Sequence, residues 1–120
     1  MTEDLSDRQH KWSKELTVAR EAFEELGGEF IQADGCAPFQ AMGRWRRFTF
    51  YFRSRHDHWT LTVGPATAVE MDVVASGLVI AQGDDTEIWD DTNWSNPAIG
   101  FRFAVQTLDN WINEESDALN

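Results

Sequence analysis

Apolar and polar positions alternate with a period of two through residues 43–63, which read GRWRRFTFYFRSRHDHWTLTV. Phe48, Phe50 and Phe52 alternate with Arg47, Thr49, Tyr51 and Arg53. After a polar tip at 54–57, Trp59, Leu61 and Val63 alternate with His58, Thr60 and Thr62. Successive side chains of a strand point to opposite faces, so this pattern predicts a β-hairpin. One face is aromatic and suited to a core. The other carries guanidinium groups, a phenol and hydroxyls.

On either side of the hairpin the period changes to that of a helix. Trp12, Leu16, Ala19, Phe23 and Leu26 form one apolar stripe, with Glu15, Glu21, Glu24 and Glu25 opposite it. Ser6 with Gln9 reads as a capping box and Leu5 as its staple, so the spacing predicts a helix from about Asp7 that stops at Gly27-Gly28. Near the other end, Asn96 as N-cap and Pro97 as first helical residue open a second amphipathic helix. Phe101, Ala104, Val105, Leu108, Trp111 and Ile112 line its apolar face, Ile99 and Phe103 widen it, and residues 113–120 form a polar tail beyond it.

The shorter segments are read from turn residues. Residues 29–33 predict a first strand, Asp34-Gly35 a turn, and 36–42, with Pro38, a loop; Gly64-Pro65 ends the hairpin. In 66–76, Val69, Met71 and Val73 alternate with Glu70 and Asp72 as in a strand. Pro65, the spacing of Ala66, Val69 and Val73, and Gly77 instead suit a short helix, and the β-branched residues tilt the choice to strand. A strand at 78–82, a turn at 83–85 and a short strand at 86–89 complete the reading. The expected architecture is one α+β domain over 1–120, with flexible ends at 1–5 and 115–120. It is an antiparallel sheet of about 4–6 strands with the N-terminal and C-terminal helices packed on one face.

Composition adds polarity of charge to this picture. The chain of 120 residues has a formal net charge of −11, yet five arginines and a single aspartate fall between Arg44 and His58. Such a field repels nucleic acid and anionic membrane and favours a basic partner, or a second copy of the chain docking on the positive strip. One cysteine, Cys36, excludes an internal disulfide and a multi-thiolate zinc site. No signal-like or membrane-spanning run is present, and a cytoplasmic location is expected.

At the hairpin the sequence resembles the bacterial YbjN-like proteins, which share the fold of type III secretion chaperones. The resemblance lies in Gly43, Trp45, Phe50-Tyr51-Phe52, Leu61 and Val63, following an amphipathic helix that ends in Leu26-Gly27. It implies a small, acidic, non-catalytic α+β protein that dimerises, and in the chaperones a client segment held against the sheet and helices. A helix at 66–76 would match that fold; a strand there would not.

Several groupings invite chemistry. His56-Asp57-His58 could place two imidazoles on one side of a strand, but at a hairpin tip it is ordinary turn chemistry, and no metal or cofactor is expected. Asp84, Asp85, Glu87, Asp90, Asp91 and Asn93 crowd oxygen ligands together without EF-hand spacing, as a solvated loop or a surface for a basic partner would. Arg47, Thr49, Tyr51 and Arg53 on one face could clamp an anion, or be neutralised by Glu70 and Asp72. No phosphate loop, nucleophile-base pair, HExxH or CxxC is present, and no catalytic residue is assigned.

The function expected from the sequence is a non-enzymatic interaction module, chaperone-like or regulatory, that binds a partner protein and forms a homodimer. Trp45, Arg47, Tyr51 and Arg53 are its candidate contacts, because interfaces concentrate these residue types. An alternative is a phage-type inhibitor whose acids, Asp84, Asp85, Asp90 and Asp91 among them, imitate phosphates on a nucleic-acid-binding protein without contacting nucleic acid. A third is a small-anion binding domain that uses the arginine strip.

Overall fold

The computed structural model describes the backbone of residues 5–34, 39–55, 57–90 and 96–119, and the side chains of 10–34, 39–55, 57–90 and 96–115. The elements follow in the order α1 (Leu5–Glu25), β1 (Glu29–Asp34), β2 (Phe39–Trp45), β3 (Phe48–Arg55), β4 (His58–Pro65), α2 (Glu70–Ser76), β5 (Leu78–Asp84), a 3-10 turn (Asp85–Glu87) and α3 (Pro97–Leu119). The five strands form one antiparallel meander in sequence order, β1-β2-β3-β4-β5. This is the expected α+β fold.

The alternation in β3 and β4 sorts their side chains as the period demands. Phe50, Phe52, Trp59, Leu61 and Val63 join Phe39, Ala41 and Trp45 of β2 in the main core. Ala19 and Phe23 of α1 and Phe101, Ala104 and Leu108 of α3 close it from above, so both long helices cover the same face. Phe23 meets Phe101 edge-on at 5.1 Å between ring centroids, which locks one helix stripe against the other over Phe50. α1 ends where Gly27 takes φ +91°, a conformation that glycine adopts without a Cβ penalty. Asn96 caps α3 as expected, its Oδ1 accepting from the Ala98 N–H at 3.0 Å.

Four expectations are corrected. Residues 39–42 belong to strand β2, because Phe39 and Ala41 face the core while Gln40 and Met42 face outward, an alternation that Pro38 obscured. The hairpin is therefore half of a three-strand meander, with Trp45 opposite Phe48 across a two-residue turn. That turn is Arg46-Arg47, both at positive φ (51° and 77°), in place of the Asn-Gly or Asp-Gly that usually marks it. Arg46 is held there by an ion pair to Asp109 of α3 at 2.6 Å and by lying over the Trp45 ring. The Arg47 carbonyl accepts from the Ala66 N–H.

Residues 70–76 form a helix, not a strand. Arg44 on β2 donates to the Ala66 and Ala68 carbonyls and to Glu70 Oε1 at 2.7 Å, pinning the approach to α2. Val73 is then buried against Met42 and Tyr51 on the outer face of the sheet. Residues 86–89 are not a strand either. Asp84 accepts from the Thr86 N–H while Glu87 accepts from the Asp84 N–H, a reciprocal cap that curls the chain into the 3-10 turn. Finally, α3 runs on to Leu119 through the polar residues expected to lie past its end. The Ser6–Gln9 cap, Cys36, His56, Asp91 and the extreme ends lie outside the described side chains.

Glu70 and Asp84 set a pH dependence. Glu70 is held below the ordinary carboxylate range first by its own backbone N–H and then by Arg44. Asp84 is lowered by the Thr86 N–H and hydroxyl. A carboxylate depressed in the folded state stabilises fully above its unfolded pKa, and loses that contribution as pH falls toward the folded value. Stability is therefore expected to decline as pH drops below about 4.3, the ordinary glutamate value. Amide exchange should accelerate in α2 before it does in β3; uniform acceleration would contradict this.

Candidate functional site

Among the described residues, the inner face of the sheet is covered by α1 and α3 and the outer face only in part, by α2. Cross-strand register places Met42, Tyr51, Thr62 and Val79 in one row of the outer face, and Gln40, Arg53, Thr60 and Gln82 in the next. α2 sits over the first row. The second row, with Arg55, His58 and Asp84 beyond it, carries only polar side chains.

The candidate contacts predicted from sequence are scattered by this arrangement. Trp45 is only 9 % exposed, on the inner face, with its indole N–H donating to the Leu26 carbonyl. Tyr51 is also 9 % exposed, beneath α2, and its phenol donates to Gln40 Oε1 at 3.2 Å. Burial pushes the Tyr51 phenol up, and the nearby Arg53 charge opposes that rise. Arg47 is exposed at the turn and takes no part in a strip along β3. Tyr51 and Arg53 keep the expected shared face of β3, Tyr51 buried and Arg53 half-buried. The neutralising role expected of Glu70 falls on Arg44, which was not among the candidates.

The candidate acids differ as sharply. Asp85 is buried and accepts from Ser54 Oγ at 2.8 Å; Ser54 in turn accepts from the Trp89 indole N–H at 3.1 Å. Asp84 is engaged in its cap and Asp90 is exposed. Among the described residues no three metal-ligating side chains gather, and no helix is long and apolar enough to cross a membrane. His58 lies opposite Asp84 across the β4–β5 ladder.

Three surface features stand out. A shallow pocket of about 310 Å³ is lined by Arg53, Arg55, His58 and Thr60. Arg53 Nε is buried there with no hydrogen-bond partner. A larger groove of about 480 Å³ runs between α1 and α3, with Phe23, Trp45 and Phe101 in its walls and the Arg46–Asp109 pair at its rim. The third feature is apolar and lies on the opposite side of α2 from the sheet and along the free strand edge. Val69, Met71, Val74, Leu78 and Val79 are all exposed large apolar side chains, and they follow one another on the approach to α2, on α2 itself and at the start of β5.

Comparison with protein-family models, with curated proteins and with solved structures found no match. The chemistry of these surfaces therefore carries the functional reading.

Sequence reasoning missed the apolar surface because its residues look like a strand interior. Alternating Val69, Met71 and Val73 read as one buried face, whereas helical rotation buries Val73 and turns Met71 and Val74 outward. The signal that could have found it is the run 73–81, VVASGLVIA, too apolar for an ordinary edge.

Proposed function

We propose that this protein is a non-enzymatic interaction module, chaperone-like or regulatory, that takes an extended segment of a partner protein along β5. The observation that carries the reading is the unguarded edge. Among the described residues β5 pairs with β4 on one side only, and its sequence LVIAQGD holds no charge before Asp84 and no proline. Strand edges are ordinarily blunted by charge or cover, since unpaired N–H and C=O groups invite another strand. The opposite edge, β1, is blunted: it begins at Glu29, ends at Asp34 and lies against α1. Exposed apolar side chains beside an open strand edge are the usual form of a β-augmentation site.

Charge selects the partner. Asp72 lies on α2 between Met71 and Val73, Asp84 closes β5, and the molecule as a whole carries −11. A segment with alternating apolar residues flanked by Lys or Arg complements both features, and long-range attraction would raise its association rate. A second copy brings the same negative charge.

Selection from a random displayed peptide library tests the reading. Enrichment of apolar alternation with basic flanks is expected, with affinity falling tenfold or more, about 1.4 kcal/mol, in Val79→Lys. Val79 is 51 % exposed, so the variant should keep its unfolding midpoint. Absence of enrichment, or binding untouched by Val79→Lys, would overturn the proposal. A dimer by light scattering that Val79→Lys dissociates would assign the edge to a second copy instead.

A further inference from the structure

We propose that the uncovered half of the outer face is a binding site for a small oxyanion, a phosphate or carboxylate group held by Arg53 with Arg55, His58 and Thr60. This site is separate from the β5 edge and does not depend on it. Arg53 provides the first reason. Its Nε is buried and lacks an acceptor, and among the described residues its guanidinium forms no hydrogen bond or ion pair. Arg20, Arg44 and Arg46 each pair with a carboxylate. Among the described residues, then, Arg53 is a partly buried arginine with no paired carboxylate, and its donors can serve an added oxyanion.

The pocket composition is the second reason. Among the described residues its lining carries two guanidinium groups, an imidazole and a hydroxyl, and no carboxylate. Adjacent strands bring them together: Arg55 is opposite His58, and Arg53 is opposite Thr60. A guanidinium presents parallel N–H donors at the spacing of two oxygens on one phosphate or carboxylate, a fit that a point charge cannot match. The nearest acid by register is Asp84 across from His58; it accepts from the Thr86 N–H and hydroxyl, both at 2.9 Å, and its charge also acts on His58, so the two arginines are the main cationic part of the pocket. Asp57 is exposed at the hairpin turn.

The row through Arg53 says more about the ligand. Gln40 and Gln82 flank Arg53 and Thr60 in register, giving amide donors and acceptors on both sides. The size, about 310 Å³, suits a small metabolite-sized anion.

Calorimetric titration with inorganic phosphate and, separately, with citrate tests the site, with chloride at matched ionic strength as the baseline. Saturable binding is expected for at least one of them, and the stronger arm identifies the oxyanion. Arg53→Gln should weaken it by about tenfold or more, Arg53→Lys should restore part of it, and Arg20→Gln should leave it unchanged. Amide shifts in the wild-type chain should concentrate at 53–60, a readout that stands even where Arg53→Gln fails to fold. Responses no larger than those to chloride, equal binding by a folded Arg53→Gln, or shifts centred elsewhere would overturn the proposal.

Discussion

Phe50→Ala is expected to lower the stability of the protein by about 3–5 kcal/mol, the cost of removing a buried aromatic ring from a core that cannot collapse around the void. Phe50 has no exposed surface and lies at the centre of β3, with Phe23 of α1 and Phe101 of α3 at 6.1 and 6.2 Å between ring centroids. It therefore joins three elements in one contact set. Gly43 stands opposite it across the β2–β3 ladder, and a Cβ there would come within 2.9 Å of the Phe50 ring. The ring takes the space that a side chain on β2 would fill. Domains of this size are stable by about 5–15 kcal/mol in total, so the variant should lose a large share of its margin. Urea unfolding followed by tryptophan fluorescence checks this through a lowered midpoint at unchanged slope. A loss below about 1 kcal/mol, the scale of an ordinary surface change, would show that the helix layer does not rest on Phe50.

Asp85→Ala is expected to cost about 2–3 kcal/mol, although the residue sits in the most acidic stretch of the chain, where acids are ordinarily exposed and replaceable. Its side chain is 4 % exposed and accepts from Ser54 Oγ, which accepts from the Trp89 indole. Removing the carboxylate leaves the Ser54 hydroxyl without its acceptor and loosens Trp89 from its edge-on contact with Phe39 at 5.5 Å. Asp85→Asn should cost less, since an amide oxygen still accepts from Ser54. Thermal unfolding and the near-ultraviolet dichroism of the tryptophans separate the two variants. Equal, negligible losses would show that the chain from Asp85 to Trp89 does not hold the segment. A test of phosphate imitation by neutralising the acids of this region should use Asp90, which is exposed, because the Asp84 and Asp85 variants report on folding.

These two sites differ in how far they can be read from the chain. Phe50 was legible at once: strict alternation with Thr49 and Tyr51 fixes its face, and the two helix stripes supply partners for that face. Asp85 was not, because its burial depends on Ser54, a residue 31 positions away, reaching it across the sheet. The same limit explains the arginines. Arg47 and Arg53 share a period in the sequence, but the two-residue turn removes Arg47 from the strand. Whether a guanidinium is paired is settled by elements that are adjacent only in space, as Arg44 of β2 with Glu70 of α2 shows.

Local pattern by itself determined the two long helices, the aromatic face of β3 and β4, and the α+β class. Periods of 3.6 and 2 say which side of an element avoids water, and a chain with so many aromatic residues has one economical way to bury them. The tertiary structure decided the rest. It made 70–76 a helix through Arg44 and Val73, left β5 an open edge with Leu78 and Val79 exposed, and left Arg53 without an acceptor beside Arg55, His58 and Thr60. Each of those outcomes depends on which atoms meet across strands, and on which edge of a sheet remains unpaired, and neither is encoded in the period of a single segment.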